Sequence, residues 1–98
     1  MTRFDDIPDM PTLRDHIDAL DAELVTLLAR RHALIDQAAR IKARDGLPAR
    51  IDSRVEEVVA NVRRHAQSAG LNPDLIETLW RQLIEAAIIQ EDRYLAGE

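Results

Sequence analysis

Between Pro11 and Gly46 neither glycine nor proline interrupts the chain, and that stretch constrains the fold more than any other feature. Its apolar positions alternate in steps of four and three: Leu13, Ile17, Leu20, Leu24, Leu27, then Leu34, Ala38 and Ile41, with Arg31 filling the one vacant place in the series. The spacing predicts a single helix of about 33 residues, with Thr12 as N-cap and Asp15 in the acidic capping-box position three residues on. At ~1.5 Å per residue such a helix is about 50 Å long, whereas a compact domain of this length is roughly 30 to 35 Å across. Its own chain cannot cover it. A strict 4-3 repeat over four heptads is the pattern of a helix packed nearly parallel to long partners, so a symmetric, intertwined homodimer is the expected way to bury the seam.

The remaining breakers divide the rest of the chain into two more helices. Gly46 and Pro48 lie in a loop from Arg44 to Ile51, and Gly70 and Pro73 mark a second boundary. The second helix is expected from an N-cap at Asp52 to about Ser68, with Val55, Val58, Val59, Val62, Ala66 and Ala69 on one side. The third opens with Asn72 as N-cap and Pro73 at the first helical position, and Asp74 and Glu77 lie where the helix dipole favours acids. Its stripe is Leu75, Ile76, Leu79, Trp80, Leu83, Ile84, Ala87, Ile88 and Leu95, with fraying expected after Tyr94. The fold class is therefore all-α, a three-helix subunit in the order long, medium, long. Aromatic content of 3% agrees, because a core of Leu, Ile, Val and Ala suits interlocking helices better than a sandwich. Residues 12–95 are expected to form the domain and 1–11 a poorly ordered extension.

Composition excludes several classes of function. Without cysteine there is no disulfide framework and no thiolate metal site. The net charge of -5 argues against nucleic-acid binding, which needs a clustered basic face. No apolar run reaches the length of a signal peptide core or of a membrane span, so a cytoplasmic protein without a membrane partner is the expectation. His16, His32 and His65 follow no metal-ligand spacing, and neither a glycine-rich phosphate loop nor a nucleophile with a neighbouring base is evident.

Most charged residues, among them Asp15, Asp18, Asp21, Glu23, Arg40, Glu57, Arg81 and Asp92, fit solvated helix faces. A few do not. Burying an unpaired guanidinium is prohibitive, so Arg31 in the seam must snorkel, meet a carboxylate, or bind an anionic ligand. Lys42 lies 11 residues further, within about 20° of Arg31 on the helical wheel and roughly 16 Å along the axis. It could instead serve as a dipole partner at the helix C-terminus. Glu91 continues the stripe of Ile84, Ala87 and Ile88, which brings its carboxylate to the core boundary, to pair with a cation or to take up a proton. An Arg31 to Glu91 bridge is the purely structural alternative. Arg14 stands about 100° from Arg31 on the wheel, so it can line such a pocket only from a second subunit. Arg54 faces like Val58 one turn on, although an exposed arginine is the commoner situation there.

These residues bring a family into view. Leu13-Arg14, Ile17-Asp18 and Leu20-Asp21, then Leu27-Leu28-Ala29-Arg30-Arg31, Lys42, Gly46-Leu47-Pro48, Arg54, Leu79-Trp80 and Leu83-Ile84-Glu85 together resemble the all-helical chorismate mutases, type II, over nearly everything from residue 12 to 95. The resemblance implies an intertwined dimer with two active sites and a pericyclic rearrangement of chorismate to prephenate, in aromatic amino-acid biosynthesis on the shikimate pathway. Such an isomerase needs neither nucleophile nor cofactor. Chorismate is a dicarboxylate, and negative charge grows on its ether oxygen as the C–O bond breaks, so a preorganised cationic pocket serves both ends of the reaction. By similarity, Arg31 and Arg14 of the partner subunit would hold carboxylates, Lys42 would donate to the ether oxygen, and Arg54 would support the pocket.

Three departures bear on the substrate. Glu91 stands where many relatives have glutamine as the second donor to the ether oxygen. A carboxylate donates only when protonated, so activity is expected to fall as pH rises. Val55 replaces a frequent glutamate that contacts the substrate hydroxyl, and Ala87 replaces a small hydroxyl residue. The Arg54-Val55 pair, together with Tyr94, also looks like the related isochorismate-pyruvate lyases of salicylate biosynthesis, although those keep glutamine at the Glu91 position. Isochorismate is therefore the alternative substrate, and a non-enzymatic helical dimerisation module the alternative class.

Overall fold

The structure, a computed structural model, describes residues 4–98 and consists there of three helices: α1, Met10–Asp45; α2, Asp52–Ala69; and α3, Pro73–Leu95. Among the described residues there is no strand. Of the extension expected at 1–11, residues 1–3 lie outside the described part, and α1 already begins at Met10. The cap is Asp9, not Thr12. Its Oδ1 accepts from the Thr12 backbone N–H at 2.8 Å and its carbonyl accepts the first helical bond from Leu13, so Pro11, which has no N–H to leave unsatisfied, sits inside the first turn. The cap of α2 lies one residue before the expected one: Ile51 takes the N-cap place, its carbonyl accepting from Arg54 and Val55, and Asp52 lies in the first turn with its charge on the helix dipole. Asn72 does cap α3, accepting from the Asp74 N–H at 2.9 Å, with Pro73 following it.

The three-residue turn 70–72 returns the chain so that α2 and α3 pack together. Gly70 at φ 77 allows the Leu71 N–H to reach back to the Ala66 carbonyl at 2.8 Å, which closes α2 with a Schellman turn. Three cross-helix ion pairs define the antiparallel order: Arg63 reaches Asp74 and Glu77, and Arg81 reaches Glu56. Arg81 is exposed, as expected of a solvated face, and from there also ties the helices together. The core between them is small, with Val59, Ile84 and Ile88 buried beside the loop residue Ala49 and with Val55, Val58 and Leu95 packed against it. Each large aliphatic side chain there contributes on the order of 1.5–3 kcal/mol.

The chain divides into two units, one running through Ala33 and the other Leu34–Glu98, and α1 contributes to both. In the first unit the seam stands open: Ile17, Leu20, Leu24 and Leu27 are each about half exposed. In the second, Ala39 of α1 is buried, as are Val62 and Ala66 of α2 and Ile84, Ala87 and Ile88 of α3.

Candidate functional site

In the second unit the last turns of α1, the loop that follows and α3 meet around one cation. α1 ends because Gly46, at φ 70, turns the backbone and the Leu47 N–H caps the Lys42 carbonyl at 2.9 Å. The chain then folds back, burying the Ala49 methyl against Ile84 and Ile88 and aiming the Ala49 carbonyl at the Lys42 ammonium, which donates to it at 2.7 Å. From α3, Glu91 presents Oε2 to the same ammonium as an ion pair. Glu91 is the buried acid of this unit, 4% exposed, on the stripe of Ile84, Ala87 and Ile88, as its spacing predicts. Its Oε2 has no hydrogen-bond donor in regular geometry, so the Coulombic attraction of Lys42 is what offsets its desolvation. An ammonium has three N–H groups; one is taken by Ala49, which leaves donor capacity toward a ligand oxygen.

Within the second unit the cation opposite Glu91 is therefore Lys42. Among the described residues nothing hydrogen-bonds or ion-pairs with Arg31, which is half-buried in the first unit, or with Arg14, which is exposed there. Arg54 is exposed and held by Glu57 at 2.5 Å, the surface situation that is commoner for an arginine in a first helical turn. Val55 packs on the core that carries Ala49, and Ala87 is buried. The structure thus brings Lys42 and Glu91 together on a floor that includes Val55, and places Arg14 and Arg31 in the other unit.

Sequence reasoning missed two contributors. The Ala49 carbonyl is a backbone group in a loop and leaves no periodic signal. Arg50 forms a two-pronged pair with Glu85 on α3, at 2.9 and 2.6 Å, a link between loop and helix that no spacing rule announces. The Arg50 guanidinium holds the Glu85 carboxyl below its usual range chiefly by hydrogen bonding, which desolvation partly opposes and the charge of Arg50 assists to a smaller degree. Among the described residues no group of three or more His, Cys, Asp or Glu could hold a metal ion, and no helix is long and apolar enough to cross a membrane.

The sequence is similar to those of known proteins. The family model for chorismate mutase type II matches residues 13–92. The T-protein of Enterobacter agglomerans is 34% identical over 86 residues, covering 88% of this chain but 23% of its own length. The chain therefore spans about a quarter of that relative. Two shorter relatives are matched along most of both chains. The isochorismate pyruvate lyase of Pseudomonas aeruginosa is 30% identical over 92% of this chain and 88% of its own. The 4-amino-4-deoxychorismate mutase of Streptomyces venezuelae is 31% identical over 92% and 87%. With its three helices and a family match across four-fifths of its length, the chain belongs to the chorismate mutase type II family.

Proposed function

We propose that this protein is a chorismate mutase, converting chorismate to prephenate in a cationic pocket that dimerisation completes. One observation carries the reading: Lys42 is held between the Ala49 carbonyl and buried Glu91, while Arg31, on the same helix, has no acid to answer it among the described residues. A pair of carboxylates on a small ligand supplies the missing charge. In the pocket Arg31 and Arg14 of the partner subunit bind those carboxylates, Lys42 donates to the ether oxygen, Glu91 donates to it when protonated, and Arg54 swings from Glu57 to support the far side. Val55 and Ala87 line the end where the substrate hydroxyl lies. The chemistry is unimolecular, so the rate comes from holding a compact conformer and stabilising the charge that grows as the C–O bond breaks.

The homodimer reading is supported by the open seam of the first unit, whose Leu20, Leu24 and Leu27 are half exposed in a single chain, and by the need to bring a second Arg14 to the pocket. On this reading residues 12–95 are the catalytic domain, preceded by an extension, and the enzyme works in the cytoplasm in aromatic amino-acid biosynthesis. Isochorismate-pyruvate lyase is the second reading, favoured specifically by Val55 in place of a hydroxyl-binding glutamate and by the full-length likeness to the Pseudomonas aeruginosa protein.

One experiment separates these readings. Purified protein is given chorismate, isochorismate and 4-amino-4-deoxychorismate in parallel between about pH 5 and 8. Loss of chorismate absorbance with prephenate formation is the expected result; salicylate from isochorismate would transfer the assignment to the lyase. Turnover of 4-amino-4-deoxychorismate alone would transfer it to the Streptomyces type of mutase. No turnover of any of the three refutes an enzyme and leaves a dimerisation module.

A further inference from the structure

The peptide unit that joins Ala49 to Arg50 carries two functions at once. Its carbonyl accepts from the Lys42 ammonium at 2.7 Å, and the side chain that follows grips α3 through both guanidinium nitrogens, Nη1 to Glu85 Oε1 at 2.9 Å and Nη2 to Oε2 at 2.6 Å. A peptide group is a rigid plane, so whatever fixes the backbone at Arg50 also limits the direction of the Ala49 carbonyl. The two-pronged fork restricts orientation as well as distance, which a single-point lysine pair would not do. On the other side, the Ala49 methyl is buried against Ile84 and Ile88. Ile84, Glu85, Ile88 and Glu91 all belong to α3, so one helix holds both the loop that supplies the carbonyl and the carboxylate that faces Lys42.

We propose that Arg50 and Glu85 form a positioning clamp that locks the α1–α2 loop onto α3 and thereby fixes the Lys42 ammonium between the Ala49 carbonyl and Glu91. Neither residue touches the substrate; they act through Lys42. The clamp rests on the reading of Lys42 as the substrate-binding cation given above. It also accounts for a pair that would otherwise have little effect, since exposed ion pairs contribute little to stability.

The test is a kinetic double-mutant cycle on the full chain with chorismate. Arg50→Ala and Glu85→Ala should each lower kcat by about three- to tenfold with KM changed less, short of the ~100-fold that a 1 Å misplacement can cost because the buried Ala49 methyl still anchors the loop. The double variant should fall no further than either single one, and the exchange Arg50→Glu with Glu85→Arg should recover most of the loss. A second readout is independent of turnover: the Lys42 ammonium, followed by isotope-edited NMR, should gain mobility in Arg50→Ala and lose it again in the charge-exchanged protein. Should the native protein turn over chorismate while both single variants keep its kcat, or should the two losses simply add, the clamp is overturned. If the native protein turns over none of the three substrates, the functional reading fails on its own account, and an unchanged Lys42 signal in Arg50→Ala then overturns the clamp as well.

Discussion

Lys42 and Arg31 share a helix and a face of the wheel, yet they occupy opposite circumstances. In the second unit Lys42 meets a carbonyl and a buried carboxylate, and the aliphatic residues around it are covered by α2 and α3. In the first, Arg31 meets no acid among the described residues, and the leucines before it are half exposed. The contrast separates two kinds of charged residue in a helical seam. Lys42 is part of a folded neighbourhood in which a buried carboxylate depends on it, so removing it should damage the fold as well as the pocket. The charge balance around Arg31 is left for something outside the chain, so removing it should damage binding alone.

The largest effect that sharpens this contrast is on stability. Lys42→Met strands the Glu91 carboxylate in a nearly closed environment and should cost about 3–5 kcal/mol in denaturant unfolding, while Lys42→Met with Glu91→Met should recover most of it. Arg31→Met should stay within about 0.5 kcal/mol in the same measurement. Comparable losses for the two single variants would erase the distinction between the units. Next in size is catalysis. Arg31→Ala should lower kcat/KM for chorismate by about 100- to 1000-fold, as expected for losing a preorganised charge contact to the reacting molecule, with the dimer unchanged by sedimentation. Dissociation or unfolding of that variant would make Arg31 a structural bridge after all.

A third effect tests the open seam itself. Leu27→Asp places a charge among apolar side chains that a partner would cover, forfeiting about 1.5–3 kcal/mol of burial per protomer, and should convert a dimer into monomers that have lost activity. The same change at a seam that faces only water would alter neither mass nor rate. Smaller again is the effect of Glu91→Gln. A glutamine keeps an N–H donor at every pH, whereas a carboxyl group donates only when protonated, so the variant should extend activity toward alkaline pH. An unchanged profile would leave Glu91 as the electrostatic partner of Lys42 and nothing more.

The two units also differ in how legible they were. Where a local rule and the tertiary packing agree, the reading held: Asn72 caps α3, Gly70 ends α2, and the i, i+3, i+4, i+7 series from Ile84 carries Glu91 into the interior. Caps were misplaced where two candidates compete within a few residues. Thr12 has the better cap chemistry on paper, but Pro11 can sit inside a first turn, which lets Asp9 start the helix earlier. Asp52 yields its place to Ile51 for a similar reason, since an acid one position inside the helix still gains from the dipole. The partner of Glu91 could not be read from periodicity, because Arg31 and Lys42 fall on the same side of α1 and only their height along it distinguishes them. The Arg50 to Glu85 pair was invisible for a different reason: it joins a loop to a helix across 35 residues, and no spacing rule connects them. Arg81 illustrates the same limit on the α2–α3 hairpin, where an arginine that lies on an exposed face, as expected, also links two helices.

The smallest effect compares the two helix starts. Asp9 at α1 and Asn72 at α3 both accept from a backbone N–H of the first turn, at 2.8 and 2.9 Å, but only Asp9 can be protonated. The bond from Thr12 holds the Asp9 carboxyl below its ordinary value of 3.8. Because the folded state favours the ionised form, the cap's contribution is fully present above that value and is lost as pH falls through the lower, folded one. The Thr12 amide signal should therefore shift with a midpoint below 3.8, and Asp9→Asn, which caps without a charge, should remove the shift while keeping the first turn protected from exchange. Capping at Asn72 has no such midpoint, since an amide does not titrate in this range. A Thr12 midpoint at or above 3.8 would mean that the helix begins without help from Asp9, returning the start of α1 to Thr12.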